Sequence, residues 1–130
     1  PALAAAADSP CLALYILDDS TPGLRRMGGA SRWWLHHSLQ SLSADLRAKG
    51  GELLILQGAA EELILGLAEA VRARGVHWNR RYDEAERGQD ERIKARLKAA
   101  GIPAVSHNAH LLHEPWEVVG KSGGPLKVFS

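Results

Sequence analysis

The sequence predicts an α/β domain built on a doubly wound parallel sheet. Short apolar runs alternate with segments of helical periodicity along the 130 residues, and the connections between them are short and rich in turn formers. This alternation is typical of β-α-β units, whose right-handed crossovers place helices on both faces of a parallel sheet. The length suits one domain, which is large enough to bury a core.

The first half of the chain supplies three of these elements. Residues 2–7 predict the tail of a helix, and residues 11–17 predict a buried strand, because they are apolar without a helical period. Residues 32–49 predict a helix that ends at Gly50-Gly51. Its apolar stripe consists of leucines at helical spacing, namely Leu35, Leu39, Leu42 and Leu46.

The second half repeats the pattern. The predicted strands are residues 52–57, 76–78 and 104–106, and the predicted helices are residues 60–74 and 83–100. The last helix is strongly charged, with Ile93 and Leu97 as its large apolar residues. The tail from His107 is loop-like and ends in a strand-like Leu126-Lys127-Val128. Because the chain opens on Pro1 and stops directly after that strand-like run, we expect both ends to be cut from a longer protein.

Composition restricts the classes of function. Apolar residues make up 45% and charged residues 24%, as in ordinary globular proteins, and the net charge is +1. A near-neutral domain has no bulk electrostatic attraction for nucleic acid, so a DNA-binding surface would be local or lie outside this segment. The sequence contains neither a membrane-spanning run nor a signal peptide, and we expect a cytoplasmic protein. The single cysteine, Cys11, heads an apolar run and is expected to be buried in the strand.

A parallel sheet binds ligands beyond the carboxyl ends of its strands. Three loops meet this condition, at residues 18–30, 57–59 and 79–83. The sequence has neither the dinucleotide-binding GxGxxG nor the P-loop GxxxxGK[ST]. Gly28-Gly29 could let a ligand approach the helix that follows, although a flexible loop is the favoured interpretation.

Other candidate sites have simple structural interpretations. Asp83 and Glu86 are spaced as a capping box, which is favoured, while a functional role for Glu86 at a strand's carboxyl end stays open. Trp33 and Trp34 point about 100° apart on a helix, so one is expected in the core and the other at the surface, where it could mark a domain contact. The histidines at positions 107, 110 and 113 are expected to be loop residues rather than metal ligands. The serines show no hydrolase triad, so the residues alone indicate no catalytic set.

Several segments, taken in order, resemble the photolyase/cryptochrome family. Residues 29–39 are similar to its S-x-R-x-x-F-L-x-x-S-L helix. The other matching segments are Pro1-Ala2-Leu3, Leu14-Tyr15-Ile16-Leu17-Asp18, His77-Trp78-Asn79-Arg80-Arg81-Tyr82, Glu86-Arg87 with Asp90, Leu111-Leu112, Pro115, and Gly123-Gly124-Pro125-Leu126-Lys127-Val128-Phe129. The chain therefore resembles the family's N-terminal α/β domain, most like that of bacterial photolyases, over nearly its whole length.

This resemblance implies a Rossmann-like domain of a light-dependent DNA repair enzyme. Family members use FAD, held in a C-terminal helical domain absent here, to split cyclobutane pyrimidine dimers in UV-damaged DNA. The α/β domain contacts that FAD-binding domain and often carries an antenna chromophore, such as methenyltetrahydrofolate or 8-hydroxy-5-deazaflavin. The protein is expected to be a monomeric lyase that does not associate with a membrane. A cryptochrome-type blue-light receptor is the alternative, and a stand-alone nucleotide-binding module is a weaker one.

The resemblance also suggests antenna residues. Ile16, Leu17 and Asp18 match a strand end that lines deazaflavin pockets, and Glu86 matches a folate-binding glutamate. Ala85 stands where that motif has asparagine, and Met27 stands near a position that is histidine in some folate-binding members. The antenna's identity therefore stays open. A further match, Arg32, begins the family helix and could be structural. The predicted site thus comprises six residues: Ile16, Leu17, Asp18, Met27, Arg32 and Glu86.

In this family the sheet has five strands, and the first, central one is missing from the chain. It would lie between the strands at residues 11–17 and 76–78, so both would lose ladder partners. We therefore predict that the isolated 130-residue chain is poorly stable. A cooperative urea transition of ordinary midpoint would contradict this.

Overall fold

The computed structural model describes residues 1–119, and the strand-like run predicted at residues 126–128 lies outside them. Helices and strands alternate as the sequence predicts. The elements are α1 (Ala2–Ala6), β1 (Ala13–Leu17), α2 (Gly29–Ala48), β2 (Leu53–Gln57), α3 (Ala60–Ala70), β3 (Val76–Asn79), α4 (Glu84–Ala99) and β4 (Ala104–His107). Within the described part of the chain, no helix is long and apolar enough to cross a membrane.

Both strand pairings within residues 1–119 are parallel, which confirms the predicted α/β class. β1 pairs with β2 from Ala13↔Leu53 to Leu17↔Gln57. β3 pairs with β4 from Val76↔Ala104 to Asn79↔His107. Over residues 1–119 these are two separate two-stranded sheets, and β1 is not hydrogen-bonded to β3. The structure therefore shows parallel β-α-β units rather than one continuous sheet.

The core lies where α3 and α4 pack together and against the strands. Its buried members are Ala60, Ala68, Ile93 and Leu97. Ile16 of β1 and Val76 and Trp78 of β3 are partly buried against this cluster, which therefore joins the two sheets. Because parallel strands all run the same way, their carboxyl ends lie at one edge of the molecule.

Some predicted boundaries and burial states were wrong. α2 begins three residues earlier than predicted, at Gly29, and α3 ends at Ala70 instead of residue 74. Arg72 adopts a left-handed φ of 50°, which an L-residue cannot continue as a helix. The chain therefore leaves α3 before Gly75, the predicted stop.

Cys11 and both tryptophans of α2 are exposed, although Cys11 and one of the tryptophans were expected in the interior. Cys11 precedes β1 instead of belonging to it, and is exposed. Trp33 and Trp34 are both at the surface, 62% and 68% exposed, although one was expected in the core. α2 contains no fully buried residue, so its periodicity did not predict burial.

Candidate functional site

Asp18, the residue after β1, anchors the candidate site at the carboxyl edge of the strands. Its Oδ2 accepts hydrogen bonds from the Thr21 hydroxyl at 2.6 Å, the Ala60 amide at 2.9 Å and the Gln89 amide at 2.7 Å. Its Oδ1 accepts from the backbone amides of Ser20 and Thr21 and from the Ser20 hydroxyl. One carboxylate thus closes its own loop, caps α3 and binds α4.

The ionisation of Asp18 reflects these contacts. Burial acts to raise its pKa, but the hydrogen bonds from Thr21, the Ala60 amide and Gln89 outweigh burial and hold the pKa well below the ordinary value. Hydrogen bonds to the charged form favour that form. Asp18 is therefore an ionised carboxylate whose charge is stabilised by hydrogen bonds from within the protein.

Gln89, in the second turn of α4, connects two of the loops predicted to bind ligands. Its side chain is fully buried. Nε2 donates to Asp18 and, at 3.1 Å, to the Thr21 hydroxyl, while Oε1 accepts from Arg81 at 2.8 Å. A buried amide has few other partners, so it holds the loop after β1 and the loop after β3 in fixed relation.

Arg81 extends this network toward the surface. Its guanidinium pairs with Asp90, whose other oxygen accepts from the Trp78 indole at 3.0 Å. Glu86 lies at the outer end, with an Oε1 3.9 Å from an Arg81 nitrogen. The residue at the N-cap position, Asp83, makes no side-chain cap hydrogen bond, so the predicted capping box is wrong. Glu86 is partly exposed instead and points to no backbone partner.

The loop after β1 is held against its surroundings at two further points. The Arg32 guanidinium donates to Asp19 at 2.7 Å and to the Met27 carbonyl at 3.1 Å. Gly23 has a φ of +85°, and a Cβ built there would lie 3.8 Å from the Ala85 Cβ, so the loop passes beside the first turn of α4. These contacts support a structural role for Arg32.

The predicted site residues therefore separate into groups. Hydrogen bonds connect Asp18 through Gln89 to Arg81 at the strand ends, and Glu86 is linked to Arg81 by an ion pair at 3.9 Å. Ile16 packs against the core cluster. Met27 and Arg32 lie together where the loop enters α2.

A second polar cluster at this edge was not predicted from the sequence. Glu114 is only 5% exposed, pairs with Arg80 and accepts from the Tyr82 hydroxyl at 3.1 Å. Arg80 also donates to the Ser106 carbonyl and lies 5.0 Å from the centre of the Trp116 ring. Burial, together with the hydrogen bond and charge of Glu114, raises the pKa of Tyr82, which keeps the hydroxyl a donor. This cluster ties the tail to β3 and β4. Nothing local in the sequence around Glu114 marks it as buried.

Comparison with known proteins decides the family. The DNA photolyase family profile matches residues 1–130. The chain belongs to the DNA photolyase family. The resemblance read from its segments is thereby confirmed, as is the alternating α/β fold.

Both photolyases and cryptochromes are among the similar proteins. A deoxyribodipyrimidine photo-lyase of Agrobacterium fabrum is 40% identical over 93% of this chain. Cryptochrome-1 of Arabidopsis thaliana is 37% identical over 100% of this chain. The chain spans about a quarter of the first of these relatives and about a fifth of the second, 25% and 19% of their lengths.

Solved structures of this family share the fold. A bacterial class III photolyase from Agrobacterium tumefaciens superposes with a TM-score of 0.85, at 40% identity, over 99% of this chain and 27% of that one. A cryptochrome of Synechocystis shares the fold with a TM-score of 0.71 at 23% identity, over 82% of this chain and 23% of that one.

Proposed function

We propose that this chain is the N-terminal α/β domain of a deoxyribodipyrimidine photolyase, an enzyme that uses blue light and FAD to split cyclobutane pyrimidine dimers. The observation that carries the proposal is the 40% identity, over 93% of the chain, to a protein named for that activity. The TM-score of 0.85 to a class III photolyase supports it. We place the enzyme in the cytoplasm as a monomer.

In this proposal the catalytic work belongs to the remainder of the polypeptide. FAD and damaged DNA would bind a helical domain beyond the α/β domain, because this chain spans only a quarter of its photolyase relative. The net charge of +1 supports this division, since a near-neutral domain does not attract the phosphate backbone. The α/β domain would serve as scaffold and as the site of an antenna chromophore, which absorbs light and passes excitation energy to FAD.

The residues fit an antenna chromophore only in part. Both carboxylate oxygens of Asp18 already accept hydrogen bonds from within the protein, so Asp18 positions the loop and does not serve as a ligand. Glu86 fits better, because its carboxylate is partly exposed at the same edge with one distant cationic neighbour, Arg81. A carboxylate there could accept hydrogen bonds from the amino and ring N–H groups of methenyltetrahydrofolate, or from the ring N–H of 8-hydroxy-5-deazaflavin.

Repair by the full-length protein tests the activity. Purified protein with bound FAD is mixed with an oligonucleotide containing one cyclobutane dimer and illuminated with blue light. We expect light-dependent loss of the dimer, measured by chromatography. FAD binding without repair would contradict the photolyase proposal and favour a cryptochrome receptor, the alternative that the 37% identity to Arabidopsis cryptochrome-1 supports.

Chromophore content tests the role of Glu86. We expect Glu86→Ala in the full-length protein to remove antenna absorbance while leaving the FAD content unchanged, because FAD binds elsewhere. Glu84 lies in the same first turn of α4, is exposed, and provides the matched control as Glu84→Ala. Extraction and absorbance spectroscopy measure both cofactors. Equal antenna content in wild type and Glu86→Ala would show that Glu86 does not bind the antenna chromophore.

A further inference from the structure

Two histidines meet on the face of the β3–β4 sheet that is turned away from α4. Val76, Trp78 and Ala104 face the core cluster. Side chains alternate between the two faces of a strand, so His77 lies on the opposite face from Val76 and Trp78. On β4, Ser106 bonds Lys94 of α4, which places its neighbour His107 on that same opposite face.

The two imidazole rings approach closely. Nδ1 of His77 and Nε2 of His107 are joined by a hydrogen bond of 3.0 Å, in which one ring donates and the other accepts, and the ring planes are 16° apart with centres separated by 5.3 Å. Two nitrogens bound to one metal at about 2.0–2.1 Å are roughly 2.9–3.4 Å apart for bond angles between about 90° and 109°. The observed separation therefore matches two neighbouring positions in one coordination sphere.

The backbone beneath these rings is held in place. His107 pairs with Asn79 in the parallel register, and the His107 carbonyl accepts the Arg80 amide at 2.8 Å. The amide of Ala2 donates to the Asn79 side chain at 3.0 Å, which fixes β3 from the α1 side. The ligands are thus carried on strands, which gives a more exact geometry than loops do.

The pair is open to solvent, and no carboxylate of residues 1–119 forms an ion pair with it. His77 is exposed and His107 half-buried. Neither ring takes part in an ion pair within residues 1–119. A cation shared by the two rings would replace the proton of their hydrogen bond, the exposed His77 ring would rotate to direct its lone pair at the ion, and water would fill the remaining coordination positions.

We propose that His77 and His107 form a two-histidine site for a late first-row divalent cation, Zn²⁺ or Cu²⁺. Imidazole nitrogen is a preferred ligand for these ions, whereas Mg²⁺ and Ca²⁺ prefer oxygen. The bound ion would join β3 to β4 on the face that α4 leaves uncovered. This inference does not depend on the proposed enzymatic activity.

Metal titration of the full-length protein tests the site. Zn²⁺ is added to wild type, His77→Ala, His107→Ala and the control His113→Ala, and binding is followed by calorimetry. We expect one site that weakens by about 10- to 100-fold or more in either of the first two variants, since loss of even an outer-shell partner produces that range. The control, an exposed loop histidine, should bind as wild type does.

Two further measurements keep the test decisive. His77→Phe retains an aromatic ring against His107 but offers no nitrogen, so it should fold, as judged by circular dichroism, and still lose the site. Cu²⁺ bound to wild type should show nitrogen hyperfine splitting in its electron paramagnetic resonance spectrum. That splitting should disappear in the variant that combines His77→Ala with His107→Ala. Unchanged affinity in both alanine variants, or no binding by wild type at millimolar Zn²⁺, would overturn the proposal.

Discussion

The helices α2 and α4 show how differently two parts of one small domain use their sequences. α2 has a regular leucine stripe and yet contains no fully buried residue. α4 is mostly charged and yet buries Gln89, Asp90, Ile93 and Leu97. Two large apolar side chains at the right positions therefore contribute more to this core than a longer stripe with little packed against it.

The charged residues of α4 also connect it to more elements than those of α2, of which Arg32 pairs with Asp19. Arg92 donates to Glu61 and Arg96 to Glu62, so two ion pairs join α4 to α3 along the surface. Gln89 and Asp90 connect the same helix to the loops after β1 and β3. Such exposed ion pairs add little stability individually, whereas the buried hydrogen bonds hold the helix in register.

The sharpest test of this contrast is to truncate one leucine in each helix. Leu97 is fully buried, and Leu97→Ala should lower the free energy of unfolding by about 2–5 kcal/mol through lost burial and a cavity. Leu42 on α2 is exposed, and Leu42→Ala should lower the free energy of unfolding by less than about 1 kcal/mol. Urea unfolding of the full-length protein measures both. Equal losses would show that α2 is buried as deeply as α4.

The second test compares two aspartates. Asp18 has a depressed pKa, so its contribution to stability is present above the ordinary carboxyl value of about 4 and is lost as the pH falls below it. Asp18→Asn should cost about 1.5–3 kcal/mol near neutral pH and should remove that part of the acid dependence. Asp45→Asn, on exposed α2, should change stability by under about 0.5 kcal/mol. An unaltered pH profile in Asp18→Asn would contradict the network.

The smallest expected effect concerns the tryptophans. Trp33→Ser and Trp34→Ser on α2 should each change the stability of the isolated chain by no more than about 0.5 kcal/mol, because both rings are largely exposed. Trp78→Phe should cost more, about 1 kcal/mol, because it removes the indole donor to Asp90. Thermal unfolding compares the three. A large loss of stability in Trp33→Ser or Trp34→Ser would mean that the replaced side chain is packed against other residues of the domain.

Local pattern was enough for the elements but not for all of their ends. The apolar run before Asp18 correctly predicted the end of β1, and the glycines at 50–51 predicted the end of α2 to within one residue. The sequence did not predict where α3 ends, because that end depends on Arg72 adopting a left-handed conformation. The residue types around Arg72 do not indicate such a conformation. Asp83 and Glu86 have the spacing of a cap, yet Glu86 faces Arg81 of the preceding loop instead.

Residue order and spacing were enough to predict the α/β alternation and the parallel pairing, and the resemblance of several motifs was enough to predict the family. The tertiary contacts were needed to show which helix is buried, that Asp18 accepts hydrogen bonds from Ala60 and Gln89, and that Glu114 is buried beside Arg80. Periodicity is a property of neighbouring residues, whereas burial and hydrogen-bond partners depend on residues as far apart as 18 and 89. Chain folding alone brings such residues within reach of one another.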